Sequence, residues 1–76
     1  MEETLRIMIE NLVDNKDEIE ITSEERGNNV NYKVKVSKDE MGKVIGRQGK
    51  IAHSIRTVMK AVAAKENKKA TVEFIG

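Results

Sequence analysis

The sequence predicts an α+β fold of two layers, in which three helices cover one face of a three-stranded mixed sheet in the order α-β-β-α-α-β. Apolar residues repeat with the helical period in three segments and alternate with polar residues in two others, and a final segment is rich in β-branched residues. Turn-forming residues separate several of these segments. A chain of 76 residues has room for one hydrophobic core, so residues 1–76 are expected to form a single domain.

The first third of the chain is predicted to form a helix and then a strand. Within residues 4–13 the apolar side chains recur at the i, i+3, i+4, i+7 spacing of an amphipathic helix, at Leu5, Met8, Ile9 and Leu12. Residues 18–23 alternate apolar and polar side chains, as a strand with one buried face does. The polar pair Asp14 and Asn15 is expected to end the helix.

A second strand is predicted at residues 29–37, where the alternation is stronger. Its apolar positions are Val30, Tyr32, Val34 and Val36. The turn residues Gly27, Asn28 and Asn29 lie between the two alternating segments. The two strands are therefore expected to form a β-hairpin with one buried face.

The second half of the chain is predicted to form two helices and a last strand. A short helix is expected at residues 39–45, ended by Gly46, and a longer one at residues 50–65. The apolar arc of the longer helix consists of Ile51, Ile55, Val58, Met59 and Val62. Residues 70–75 read as a strand. Because two helices connect it to the preceding strand, these two strands are expected to be parallel.

The charge is unevenly distributed along the chain, although the formal net charge is only +1. Residues 1–26 contain nine acidic and three basic residues, whereas residues 27–76 contain eleven basic and four acidic ones. Five bases and no acid lie within residues 41–60. This asymmetry is typical of a surface that meets an anion, but an ordinary solvated surface explains it equally well.

Composition excludes several classes of site. The absence of cysteine excludes disulfides, thiolate zinc sites and cysteine nucleophiles, and a single histidine, His53, excludes a histidine-rich metal cluster. No apolar run approaches the roughly 20 residues of a membrane span, and the first residues are acidic where a signal peptide would be basic. We therefore expect a cytoplasmic protein without metal or cofactor.

The segment with the clearest chemical signal is residues 43–51, Lys-Val-Ile-Gly-Arg-Gln-Gly-Lys-Ile. Gly46 and Gly49 flank two long polar residues between two predicted helices, with bases on both sides. Glycines at these positions let the main chain approach a polyanion, and the amides opening the next helix add donors. Taken alone, the pattern also fits a structural turn between helices.

The context of this loop resembles the K-homology (KH) family of RNA-binding domains. Its signature, Ile-Gly-x-x-Gly between two helices followed by helical apolar positions, is matched by Ile45, Gly46, Gly49 and Ile55. The element order resembles the type II arrangement over the whole chain. Within the family, residues 42–49 and the positions Ala52, Ile55, Arg56 and Thr57 resemble the small bacterial proteins made of one KH domain.

The resemblance implies a clamp for about four nucleotides of single-stranded RNA. The loop residues Gly46, Arg47, Gln48 and Gly49 are then expected to approach the sugar-phosphate backbone, with Lys43 and Lys50 as cationic partners of phosphates. Ile45, Val44 and Ala52 are the candidates for an apolar groove floor, although Val44 and Ile45 fit the core equally well. The main chain of the strand that carries Val34 and Val36 is a further candidate for base contacts, and His53 is a candidate for RNA contact.

The scarcity of aromatic residues separates this prediction from other RNA-binding modules. Recognition by RNP motifs needs aromatic stacking platforms, and the chain contains only Tyr32 and Phe74, both at positions expected in the core. A KH groove depends less on stacking. A single small module is also expected to bind weakly and to lose affinity steeply with salt.

Three other functions each match part of the sequence. Gly49-Lys50 resembles the end of a Walker loop, but Ile51 replaces the serine or threonine that reaches magnesium and the glycine spacing is too short, so an enzyme is not expected. The two predicted helices around the turn resemble a helix-turn-helix DNA binder in outline. A protein–protein assembly module, in which the loop is only a structural turn, is the third.

The resemblance also implies partners and a process. It implies a homodimer, pairing with a larger KH protein of the KhpB type, and action as an RNA chaperone or post-transcriptional regulator linked to cell elongation or division. None of these follows from the spacing of residues.

Overall fold

A computed structural model describes residues 1–75 and confirms the predicted α+β class and element order. The helices and strands are α1 (Glu2–Glu10), β1 (Glu20–Arg26), β2 (Asn29–Lys35), α2 (Met41–Ile45), α3 (Lys50–Ala64) and β3 (Lys69–Ile75). Short 3-10 turns at Lys16–Glu18, Lys38–Glu40 and Arg47–Gly49 lead into β1, α2 and α3. Each helix within residues 1–75 is too short or too polar to span a lipid bilayer.

The sheet has the strand order β1-β2-β3, with β2 in the centre. β1 and β2 pair antiparallel from Glu20 opposite Lys35 to Arg26 opposite Asn29, and β2 pairs parallel with β3. The predicted parallel crossover through two helices is therefore confirmed. Gly27 has a φ of 58°, the left-handed value that a two-residue hairpin turn requires.

The three helices pack on one face of this sheet and enclose the core. The largest fully buried side chains are Leu5, Ile9, Val30, Val34, Val44 and Met59. The opposite face is polar, because Lys33 and Lys35 of β2 lie level with Glu73 of β3 and Glu20 of β1, respectively. This pattern fixes the register, since a shift by one residue would expose the apolar set.

The boundaries of α1 and β1 differ from the prediction. α1 begins at Glu2 and ends at Glu10 rather than spanning residues 4–13, because the Asn11 side chain donates a hydrogen bond to the Ile7 carbonyl and the chain turns there. Val13 is still buried after the turn. β1 continues to Arg26 rather than ending at residue 23, since pairing with β2 extends up to the hairpin turn.

One residue of the predicted apolar arc of α3 is exposed, and Ile51 and Val62 are only half-buried. Val58 is 40% exposed and lies beside an open apolar groove between α1 and α3. Ile7 of α1 is also exposed, at 57%. The groove is lined by Met8, Asn11, Leu12, Lys50, Ile51, Ser54, Ile55 and Val58. The short α1 contacts only part of α3, and this leaves the groove uncovered.

Candidate nucleic-acid interface

Gly46 ends α2 in a conformation that excludes a side chain. Its φ of 77° and ψ of 175° belong to a region that glycine alone adopts readily. A Cβ atom at Gly46 would also lie 2.6 Å from Cγ1 of Ile51, well inside van der Waals contact. The sequence interpretation assigned both glycines to the approach of a ligand, but Gly46 is required by the packing of its own loop.

Gly49 also has a positive φ, but the space beside it is open. Its φ is 75°, and a Cβ atom there would meet nothing within 4 Å. The neighbouring Gln48 also has a left-handed conformation, with φ 57° and ψ 25°, and its side chain is exposed. The open space over Gly49 leaves its main chain accessible at the start of α3.

The main-chain amides of the loop divide into two pairs. Gly46 N–H donates to the Gly42 carbonyl at 2.9 Å, and Gly49 N–H donates to the Gly46 carbonyl at 3.2 Å. The Arg47 and Gln48 amides form no hydrogen bond with any of residues 1–75, and no side chain caps the start of α3. Of the four amides in residues 46–49, those of Arg47 and Gln48 are therefore available to an anion.

Two cations flank these amides without an internal partner. Arg47 and Lys50 are exposed, and neither forms an ion pair within the described part of the chain. His53, one turn into α3, is also exposed. These three side chains lie at the loop and the first turn of α3, as the sequence predicts.

Lys43, the other predicted phosphate partner, is engaged by two carboxylates. Its Nζ lies 2.8 Å from Oδ2 of Asp14 and 3.4 Å from Oε1 of Glu40. Glu40 is buried and accepts the main-chain amides of Asp14 at 2.6 Å and of Asn15 at 3.2 Å. This Asp14–Glu40–Lys43 network ties α2 to the segment after α1.

The network shifts the pKa of each member toward its charged form. The hydrogen bond and charge of Lys43 lower the pKa of Asp14, and the donated Asp14 amide is the largest cause of the lowered pKa of Glu40. The hydrogen bond to Asp14 is the largest cause of the raised pKa of Lys43. All three groups are therefore charged around neutral pH.

Of the three residues predicted to form an apolar groove floor, one has appreciable exposed surface. Val44 is fully buried and Ala52 is 2% exposed, so both belong to the interior. Ile45 is half-buried at the end of α2. Of the three candidates, Ile45 is the one that presents an apolar surface beside the loop.

The strand that borders the basic face of α3 is β3, which the sequence interpretation did not single out. Arg56 of α3 donates from Nε to the Val72 carbonyl at 3.0 Å, and its guanidinium lies 5.5 Å from the centre of the Phe74 ring. This bond places the Val72 carbonyl on the free edge of the sheet. Between Asn29 and Lys35, β2 pairs with a strand on each side, whereas Val36 lies beyond this pairing. Base contacts from the main chain of this strand therefore stay a prediction.

Burial of the two aromatic residues also differs from the sequence interpretation. Tyr32 is 3% exposed, as expected, and burial raises its pKa. Phe74 is only half-buried and packs under Arg56. The outer face of the sheet carries no aromatic ring among residues 1–75, so it offers no platform for stacked bases.

The family model described as "KhpA/KhpB, KH domain" matches residues 2–74. The chain belongs to the KhpA/KhpB family of KH domains. This confirms the resemblance that the loop and the element order indicated.

Curated members of this family are similar to the chain over its full length. The RNA-binding protein KhpA of Listeria monocytogenes is 45% identical over 75 residues, which cover 99% of each chain. The RNA-binding protein KhpA of Clostridium perfringens is 45% identical, covering 99% of this chain and all of the relative. The protein of that name from Chlamydia trachomatis is 33% identical, covering 99% and 96%. No solved structure matches significantly.

Proposed function

We propose that the protein binds single-stranded RNA, with the sugar-phosphate backbone lying against residues 46–49. The observation that carries this proposal is the pair of Arg47 and Gln48 amides, which have no acceptor within residues 1–75, in a loop whose cations Arg47 and Lys50 form no ion pair with those residues. Amide donors next to cations suit phosphate oxygens. The names of the KhpA relatives support RNA as the polymer.

The bases are expected to follow the channel between α3 and the free edge of β3. His53, Arg56 and Lys60 are spaced by three and four residues and so lie on one face of α3. Arg56 contacts the β3 edge directly, and Lys60 lines a surface recess with Ala70 and Thr71. A strand running from the loop along this face would meet Ile45 and then the main chain of β3.

The affinity is expected to be weak and dependent on salt. A single module that contacts few phosphates loses its binding as salt rises, with a slope of about −0.7 per phosphate for single strands. Weak, reversible contacts suit a protein that acts on many RNAs. We propose that it works in the bacterial cytoplasm as an RNA chaperone or post-transcriptional regulator, with an effect on cell elongation or division.

Self-association and a KhpB-like partner are further proposals. The exposed Val58, which lines the groove between α1 and α3, supports an interface there. Light scattering after size-exclusion chromatography at several concentrations tests it, with Val58→Glu expected to shift a dimer to a monomer. A strict monomer at every concentration removes the homodimer proposal, and mixing with a KhpB-type protein then tests the heterodimer separately.

The double variant Arg47→Asp, Gln48→Asp tests RNA binding by the loop. Both side chains are exposed, so stability should change by only about 0.5 kcal/mol, while two acids now face the phosphates. The matched control is Lys65→Asp, Asn67→Asp, which makes the same charge change at exposed positions beyond the other end of α3. Loss of RNA binding in the loop variant alone supports the proposal, and equal binding by both variants removes it.

Comparison of nucleic acids separates the remaining alternatives. Binding of single-stranded RNA and duplex DNA of matched length is measured by fluorescence anisotropy. Preference for the single strand supports the KH-type function. Preference for the duplex favours the helix-turn-helix alternative, and binding of neither favours a protein–protein assembly module.

A further inference from the structure

The two carboxylates that hold Lys43 are built differently. Glu40 is buried, and two main-chain amides fix its side chain in addition to Lys43. The side chain of Asp14 is 91% exposed, and within residues 1–75 its carboxylate contacts Lys43 alone. Asp14 is therefore the partner that can leave Lys43 without exposing a buried charge.

Lys43 lies one helical turn before Gly46 on α2, and its side chain is 44% exposed. The ammonium group of this lysine is accessible to solvent, yet it already forms an ion pair with the Asp14 carboxylate. An exposed ion pair of this kind is weak and easily exchanged for another anion. A phosphate lying at the loop is an anion of the required chemistry.

We propose that Asp14 is an affinity-determining residue of the RNA site: its carboxylate occupies the Lys43 ammonium in the free protein, and an RNA phosphate displaces it. The inference rests on the proposed function. It gives a role to the ion pair that Lys43, three residues before Gly46, forms with Asp14 in the free protein. The phosphate meets Lys43 with or without Asp14, so Asp14 is expected to lower the affinity for RNA and to leave the salt dependence unchanged.

The variant that isolates this effect is Asp14→Asn. It removes the charge but keeps the shape of the side chain and the main-chain N–H that Glu40 accepts. The matched control is Asp39→Asn, which removes the same charge from an exposed residue next to Glu40 that forms no ion pair within residues 1–75. Both are compared with the wild type in binding a short, labelled single-stranded RNA of mixed sequence between about 50 and 200 mM salt.

Asp14→Asn is expected to bind RNA about two- to fivefold more tightly than Asp39→Asn at the lowest salt. Its slope of log affinity against log salt is expected to match that of the wild type, because Lys43 meets the same phosphate in both proteins. In a Lys43→Gln background, Asp14→Asn should give no gain beyond that of Asp39→Asn. Should Asp14→Asn fail to fold by circular dichroism, Asp14→Ser carries the same test, since it also keeps the main-chain N–H.

The outcomes distinguish this inference from the function on which it rests. Equal affinities of Asp14→Asn and Asp39→Asn, or weaker binding by Asp14→Asn, overturn the role of Asp14 while the loss of binding in Arg47→Asp, Gln48→Asp still supports the loop. A wild-type protein that does not bind the RNA, or a loop variant that binds like the wild type, overturns both. A gain that persists in the Lys43→Gln background shows a general charge effect and also overturns the inference.

Discussion

Gly46 and Ile51 are packed so closely that a Cβ atom on the glycine would lie 2.6 to 2.9 Å from three carbon atoms of the isoleucine side chain. Gly49 has a similar φ, but the space beside it is open. The two glycines of the loop therefore have separate roles. Gly46 lets the loop pack against Ile51 in the first turn of α3, and Gly49 leaves the main chain accessible on the outer surface of the loop.

Alanine at these two positions should have unequal effects on stability. Gly46→Ala combines an unfavourable φ with a steric clash and is expected to lower the free energy of unfolding by about 2 kcal/mol or more. Gly49→Ala introduces the unfavourable φ without a clash, and should lower the free energy of unfolding by about 1 kcal/mol. Urea unfolding monitored by circular dichroism gives both values, and equal losses would contradict the assignment of a packing role to Gly46.

Gln48 is a residue whose replacement by glycine should stabilise the fold. Its left-handed backbone disfavours any residue with a Cβ atom, whereas glycine adopts it freely. We expect Gln48→Gly to raise the free energy of unfolding by about 0.5 kcal/mol after the added freedom of the unfolded chain is counted. Arg47→Gly is the control. Because the φ of Arg47 is not positive, this variant should lower the free energy of unfolding by about 0.5 to 1 kcal/mol. Destabilisation by both variants would contradict the prediction.

The Asp14–Glu40–Lys43 network should make stability depend on acid pH. The pKa of Glu40 is lowered from its ordinary value of 4.5, so its contribution is fully present above that pH and is lost as the pH falls through the lowered value. The raised pKa of Lys43 contributes at every pH below its ordinary value of 10.5 and does not vary in this range. The free energy of unfolding of the wild type should therefore fall as the pH drops below the ordinary value of 4.5.

Glu40→Gln should remove most of this dependence. The variant is expected to unfold at lower urea than the wild type at pH 7, because an amide NH2 would then face the main-chain donors. The difference should shrink toward pH 3. Asp39→Asn should keep the dependence of the wild type, and a pH profile of Glu40→Gln parallel to that of the wild type would show that Glu40 does not cause it.

Arg56 is expected to stabilise the fold as well as to contribute charge to the RNA channel. Arg56→Gln loses the bond to the Val72 carbonyl and the contact with the Phe74 ring, and should cost about 1 kcal/mol. Lys60→Gln removes the same charge from the same face and should stay within about 0.5 kcal/mol. Each should reduce the salt slope of RNA binding by about 0.7. An unchanged slope in both would show that RNA does not follow this face of α3.

The fold could be predicted from sequence wherever the apolar pattern was strong. The alternation through Val30, Tyr32 and Val34 located β2, and the two-helix connection gave its parallel pairing with β3. The end of α1 was missed because Leu12 and Val13 continue the apolar pattern through the turn that ends the helix, where both amides donate to the Ile9 carbonyl and the Asn11 side chain donates to the Ile7 carbonyl. Exposure of Val58 was missed because it depends on how far α1 extends over α3.

The candidate site was predicted in position but not in its internal contacts. The glycine spacing and the nearby bases located the loop, and they gave no sign that Gly46 packs on Ile51. The pairing of Lys43 with Asp14 joins residues that are 29 positions apart, so no local pattern reveals it. The role of Arg56 at the β3 edge was missed for the same reason, since Val72 is 16 positions away.

The central claim, that RNA lies against the loop, is tested most directly by NMR with a 15N-labelled protein titrated with single-stranded RNA. The account predicts that the amide signals of Arg47, Gln48 and the first turn of α3 shift most, followed by those of Val72 and Phe74. The amides of Thr22 and Glu24 in β1, on the strand farthest from β3, serve as the internal reference and should stay in place. Largest shifts in β1, or in α1 beside the exposed Ile7, with the Arg47 and Gln48 signals unchanged, would contradict it.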